Sequence, residues 1–172
     1  MIVLGVDPGA ANTGFGVVRS MGGRMVALDG GVIETTPNQP LERRLQRIHE
    51  ALLELLGWHE PDALAVENVY FGHNARSAFA VGQARGVALL AAAWRGIECF
   101  DYTPQAVKLA VCGSGGAGKR QVQRMVASLL SLGEPPASDH AADALAVAIC
   151  HAGSVPMRDA VASIGPPVAA GA

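Results

Sequence analysis

Aromatic side chains are scarce in this chain: Phe, Trp and Tyr make up 5% of 172 residues, although half of all residues are hydrophobic. The core must therefore be aliphatic and rich in alanine. Cysteine is scarcer still. Cys99, Cys112 and Cys150 are odd in number and widely spaced, which argues against a disulfide framework and a thiolate metal site and fits a reducing cytosol. No uninterrupted apolar run is long enough to span a bilayer. The start, Met1-Ile2-Val3-Leu4-Gly5-Val6-Asp7, has no basic segment and reads as a strand, not a signal peptide. The expectation is one cytoplasmic domain over residues 1–153, large enough to bury a core, with no membrane partner.

A net positive charge is also missing, since the whole chain stands at −2. Its distribution is uneven. From residue 73 to 124, Arg76, Arg85, Arg95, Lys108, Lys119, Arg120 and Arg124 face only Glu98 and Asp101, a local excess of +5. A basic segment inside an acidic protein is either a footprint for phosphates or a solvated helical face.

The first third alternates apolar runs with glycine-rich turns and predicts strands over residues 2–6, 14–18 and 26–33, with Gly22-Gly23 as a hairpin turn. Pro40 opens an amphipathic helix in which Leu41, Leu45, Ile48, Leu52, Leu55 and Leu56 recur at helical spacing, and Gly57 and Pro61 mark its end. A short buried strand follows at 63–66, then a second long helix over 77–95 and a strand over 97–100. Ala78, Gly82 and Gly86 form a line of small residues on that helix. Glycine costs a helix about 1 kcal/mol relative to alanine, so the line serves close helix approach, internal or across a dimer seam. Helices are expected from Thr103-Pro104 to about residue 111, from Lys119 to about 132, and from Ser138 or Asp139 to about 151, with a flexible glycine-rich loop over 113–118. Residues 154–172, dominated by Ala, Gly and Pro, read as a disordered tail.

Two apolar runs end in acids: Asp7 closes the first strand and Glu67 the fourth. A lone strand-terminal Asp is often only a turn former. Two carboxylates at the edge of one buried sheet are different, because burying them together without a cation is costly. His140 and Asp143 lie three residues apart, on one helix face, among alanines that leave room around them. Asp139 reads as a helix cap. Together Asp7, Glu67, His140 and Asp143 would hold divalent metal, which points to a metal-dependent nuclease. Gly113-x-x-x-x-Gly118-Lys119 nearly matches a phosphate-binding P-loop, but Arg120 stands where a magnesium-binding hydroxyl should be and no strand precedes it, so nucleotide binding is rejected. Tyr70 and Phe71 follow the Glu67 edge, where aromatics stack on or wedge between bases, or simply pack.

These motifs resemble the RuvC family of crossover junction endodeoxyribonucleases. The resemblance covers residues 2–152 and rests on Leu4-Gly5-Val6-Asp7-Pro8-Gly9 with Thr13-Gly14-Phe15-Gly16, and on Val66-Glu67-Asn68-Val69-Tyr70. It also rests on Gly82-Gln83-Ala84-Arg85-Gly86-Val87, Gln105-Ala106-Val107-Lys108 and His140-Ala141-Ala142-Asp143-Ala144-Leu145-Ala146. The first motif alone is shared with actin-like phosphotransferases, which need two such domains and so a longer chain.

The resemblance implies an α/β, ribonuclease-H-like fold, a five-stranded mixed sheet flanked by helices. It implies a homodimer that nicks four-way (Holliday) DNA junctions at paired symmetric positions, in recombination and repair, beside a RuvA–RuvB branch-migration complex. Its four metal-binding catalytic positions fall on Asp7, Glu67, His140 and Asp143, with two Mg2+ per site. Many members carry Asp where this chain has His140; Asp139, one residue out of register, is the competitor. An imidazole there should let Mn2+ substitute. Lys108 and Lys119 match basic positions near the site, Arg76 and Arg120 are further DNA-backbone contacts, and Tyr70, beside Phe71, matches the aromatic wedge. The same fold also serves non-cutting junction binders and nucleases of RNA–DNA hybrids.

Overall fold

The computed structural model describes residues 1–68 and 75–164, the stretches 75–77 and 155–164 as backbone alone. Five strands form one mixed sheet: β1 (Ile2–Asp7), β2 (Asn12–Met21), β3 (Arg24–Glu34), β4 (Ala63–Glu67) and β5 (Glu98–Tyr102), in the order β3-β2-β1-β4-β5. The first three form an antiparallel meander, and β4 and β5 add in parallel to β1. Gly22 and Gly23 both take positive φ, 58° and 80°, which the tight turn joining Met21 to Arg24 requires. The expected ribonuclease-H-like sheet is therefore present, with β1 to β4 each extending beyond the predicted span and β5 shifted from 97–100 to Glu98–Tyr102.

Helices cover both faces. Leu4, Val6, Val17, Leu64 and Val66 point to one side and pack with α1 (Leu41–His59) and α2 (Ala75–Trp94). Val3, Val18, Ala65 and Tyr102 point to the other and pack with α3 (Pro104–Cys112), α4 (Lys119–Leu129) and α5 (Asp139–Ile164). This is the two-residue period of a strand, with alternate side chains on opposite faces. No helix among the described residues is long and apolar enough to cross a membrane.

Helix boundaries differ from the sequence reading in instructive ways. α1 passes through Gly57 and stops after His59, where Glu60 adopts the left-handed conformation and its N–H bonds back to the Leu56 carbonyl. A β-carbon at Gly57 would come within 3.3 Å of the exposed Arg95 guanidinium, which is free to shift. α3 starts at Thr103-Pro104 as expected; Thr103 caps it by accepting from the Ala106 N–H at 3.1 Å, and Gly113 (φ 71°) closes it. α5 runs on to Ile164, past the end near residue 151 read from the sequence.

α5 is the central helix of its layer. Ala142, Ala144, Ala146, Val147 and Ala148 are fully buried, and the helix contacts all five strands. It lies close to the sheet because glycines sit beneath it. A β-carbon on Gly14 would overlap the carbonyl oxygen of His140, and one on Gly5 would overlap that of Ala144. The small residues of β1 and β2 thus set the height of α5, and with it the position of its first turn over the strand ends.

Candidate active site

Strand parity brings the two strand-end acids onto one face. Asp7 continues the series Val3, Gly5, Asp7, and Glu67 continues Ala63, Ala65, Glu67; Val3 and Ala65 pack on the α5 side. The β1–β4 pairing is parallel with Val6 opposite Val66, so both carboxylates leave the sheet at the same end. Behind Asp7 the chain turns through Pro8-Gly9. The buried Thr13 hydroxyl donates to the Gly9 carbonyl at 2.7 Å and closes that turn.

α5 supplies the other side of the site. His140 Nδ1 lies 2.8 Å from Asp7 Oδ2. With the proton on Nδ1 donated to the carboxylate, a neutral ring keeps its Nε2 lone pair available, and the ring is 44% exposed. Asp143, one turn along, shares a cleft of about 230 Å3 with Glu67, Pro104, Lys108, Lys119 and Val122. A larger hollow of about 380 Å3, between β3 and the start of α5, is lined mainly by aliphatic residues such as Ala27, Val32, Ala141 and Leu145 and offers little chemistry.

The electrostatics are those of crowded acids. The Glu67 carboxyl is pushed up to about 7, first by burial, then by the charges of Asp7 and Asp143, with Lys108 opposing. Asp143 is raised as well, by burial and by Asp7, while Lys119 and His140 pull it back. Among the described residues no three His, Cys, Asp or Glu side chains form a ready-made coordination shell. The donor set nevertheless fits a hard divalent cation: oxygen-rich, partly buried, and holding at least one carboxyl that cannot ionise comfortably near neutral pH without added positive charge.

The other residues singled out from sequence divide into three groups. Lys108 and Lys119 reach the acidic cleft. Arg120 is exposed in the first turn of α4. Arg76 lies in the first turn of α2, described as backbone only, and Tyr70 and Phe71 lie outside the described residues.

Asp139 is not where a competing ligand should be. Its carboxylate turns to α4, accepting from Gln123 and pairing with Lys119 at 2.9 Å. Lys119 is raised and Asp139 lowered, each first through their mutual hydrogen bond. Gln123 was not picked out from sequence. A contact between helices has no local signature, and only the i, i+4 spacing of Lys119 and Gln123 on a helix hinted that they share a face.

Known proteins resemble this chain over most of its length. The family model for crossover junction endodeoxyribonuclease RuvC matches residues 3–151. A crossover junction endodeoxyribonuclease RuvC from Pelotomaculum thermopropionicum is 52% identical over 88% of this chain and 93% of that protein. Among solved structures, T. thermophilus RuvC in complex with a Holliday junction substrate superposes with a TM-score of 0.88 at 41% identity, covering 92% of this chain and 96% of that one. The yeast mitochondrial Holliday junction resolvase Ydc2 shares the fold at a TM-score of 0.62 and 12% identity, over 94% of this chain and 85% of that one.

Proposed function

Since this chain belongs to the RuvC family of crossover junction endodeoxyribonucleases, we propose that it cuts four-way DNA junctions by paired symmetric hydrolysis at the cleft between β1, β4 and α5. The observation that carries the assignment of the site is Glu67, raised to about 7 among Asp7 and Asp143. Such crowding is costly for a surface that only binds DNA, because carboxylates repel phosphates. It is the condition of a site built to hold cations.

Asp7, Glu67 and Asp143 would hold two Mg2+ ions, with His140 as a further ligand through Nε2 or as the group that orients the attacking water. When bound, the two cations supply the Lewis acidity that ionises water and neutralises the departing oxygen. The protein's own groups do the rest. His140 holds the Asp7 carboxylate in place through Nδ1. Lys108 and Lys119 meet the scissile phosphate from the α3 and α4 side and stabilise the charge that builds on it. Cleavage leaves 5′-phosphate and 3′-hydroxyl ends, which can be religated. Imidazole is a softer donor than carboxylate, so Mn2+ should support cutting at least as well as Mg2+.

The reading includes a homodimer, because two symmetric nicks need two sites. Its support is the outer face of α2, where Phe79 (69%), Leu90 (50%) and Trp94 (71%) are exposed, Trp94 with one edge on the His49 ring, and the space above Gly82 and Gly86 is open. Tyr70 or Phe71 is the wedge at the crossover, Arg76 and Arg120 contact the DNA backbone, and a RuvA–RuvB branch-migration complex is the partner that moves the junction.

The test is cleavage of a mobile four-way junction beside a linear duplex and an RNA–DNA hybrid, in Mg2+ and then in Mn2+. Cutting confined to the junction supports the reading. Cutting of the hybrid instead keeps the site and discards the substrate, and tight junction binding without cutting in either metal discards the enzyme.

A further inference from the structure

Asp139 immediately precedes His140, yet its side chain serves a different element. One carboxylate oxygen lies 2.9 Å from Lys119 Nζ and the other accepts from the Gln123 amide. Lys119 and Gln123 stand four apart on α4, so both reach the same anion from one helix face. Lys119 is the first residue of α4, directly after the glycine-rich loop 113–118, and its side chain is 56% exposed. A lysine so placed, on a flexible four-carbon arm, would otherwise range over many rotamers. It also lines the cleft that holds Glu67 and Asp143.

We propose that Asp139 is a positioning residue for cleavage: it ties Lys119 of α4 to the first turn of α5, so that the ammonium is already directed at the phosphate in the acidic cleft. The inference rests on the reading of that cleft as the nuclease site. Its logic is preorganisation. An exposed ion pair of this kind adds little to folding stability, whereas a charge fixed before the substrate arrives need not be ordered during the reaction. The buried Ala117 already anchors the start of α4 in the core, so what the pair fixes is the Lys119 side chain and not the helix. Gln123 occupies the second carboxylate oxygen and keeps Asp139 from turning back toward His140.

A second effect must be separated. Asp139 opens α5, where a negative charge also favours the helix N-terminus. A cycle of Asp139→Ala, Lys119→Ala and the double variant distinguishes the two. Single-turnover cleavage of a four-way junction should fall about ten- to hundredfold in Asp139→Ala, while the junction dissociation constant holds or tightens because a negative charge is gone. The double variant should be no slower than Lys119→Ala alone, and Asp139→Glu should recover part of the rate. An Asp139→Ala enzyme that cuts at the wild-type rate overturns the proposal. So does a loss that multiplies with that of Lys119→Ala, since Asp139 would then act through α5 itself. A readout free of cleavage comes from nitrogen-15 spectra of the lysine ammonium groups in the DNA-free protein. Lys119 should show a proton-exchange-protected signal that Asp139→Ala abolishes. If the wild type never cuts junctions, the functional reading fails and this spectrum alone decides the tether: no protected signal would end it.

Discussion

Glu67 carries the electrostatic tension of the site. Its folded value near 7 stands against 4.5 for the ordinary side chain. Below about pH 4.5 the folded and unfolded chains both hold the proton. Between about 4.5 and 7 the folded chain keeps a proton that the unfolded chain has lost, so stability falls as pH rises through that window. Above it the penalty is full, roughly 1–3 kcal/mol. In EDTA at pH 8, Glu67→Gln should therefore melt higher than wild type, by about 2–4 °C for each kcal/mol recovered, and the two should converge at pH 4. An equal melting point at both pH values would mean that the carboxyl is not under strain. Mg2+ should raise the wild-type melting temperature more at pH 8 than at pH 5, where protons compete for the same oxygens; differential scanning calorimetry reads both effects. Asp7 and His140 form a unit of another kind. Asp7→Asn keeps the hydrogen-bonding geometry but removes the charge, and cleavage should vanish while gel-shift binding of the junction persists.

At the level of elements, the site depends on how closely α5 approaches the sheet. Gly14→Ala would force the first turn of α5 away from β2, costing about 1–3 kcal/mol as overpacking does elsewhere. It should reduce cleavage more than its loss of stability explains, because His140 moves with that turn. Chemical denaturation and a cleavage assay at low temperature, where the variant stays folded, separate the two effects. Much of this architecture was legible in the chain. Buried strands announce themselves as apolar runs, and the acids that close them are visible because an acid is out of place there. The family was legible from five short motifs, and the match over residues 3–151 agrees. Element ends were less legible. Gly57 looked like a helix stop, but α1 runs through it and ends only at Glu60, whose left-handed backbone has no signature in its residue type. The pairing of Asp139 with Lys119 was hidden too: the residues lie on different helices, and neither carries a local sign of the other. Read by itself, Asp139 at a helix start looks like a cap.

For the whole molecule, the claim is that two such clefts act together on one junction. The seam proposed on α2 makes this testable without DNA. Phe79→Glu places a charge on the exposed apolar face and should weaken self-association at least thirtyfold, about the effect of losing one interface hot spot. Sedimentation velocity measures it, and an unchanged sedimentation coefficient would move the seam to another face. The monomeric variant should still fold, because Phe79 is 69% exposed in the isolated chain. It should also lose the pairing of nicks before it loses nicking altogether.

The most direct measurement maps the nicks at nucleotide resolution on all four strands of a mobile junction, with wild type and Asp7→Asn side by side in Mg2+. The account predicts nicks in wild type at symmetric positions on two opposing strands of like polarity, religatable by DNA ligase, and none with Asp7→Asn. Unpaired nicks scattered over all four strands, or the same pattern persisting in Asp7→Asn, would contradict it.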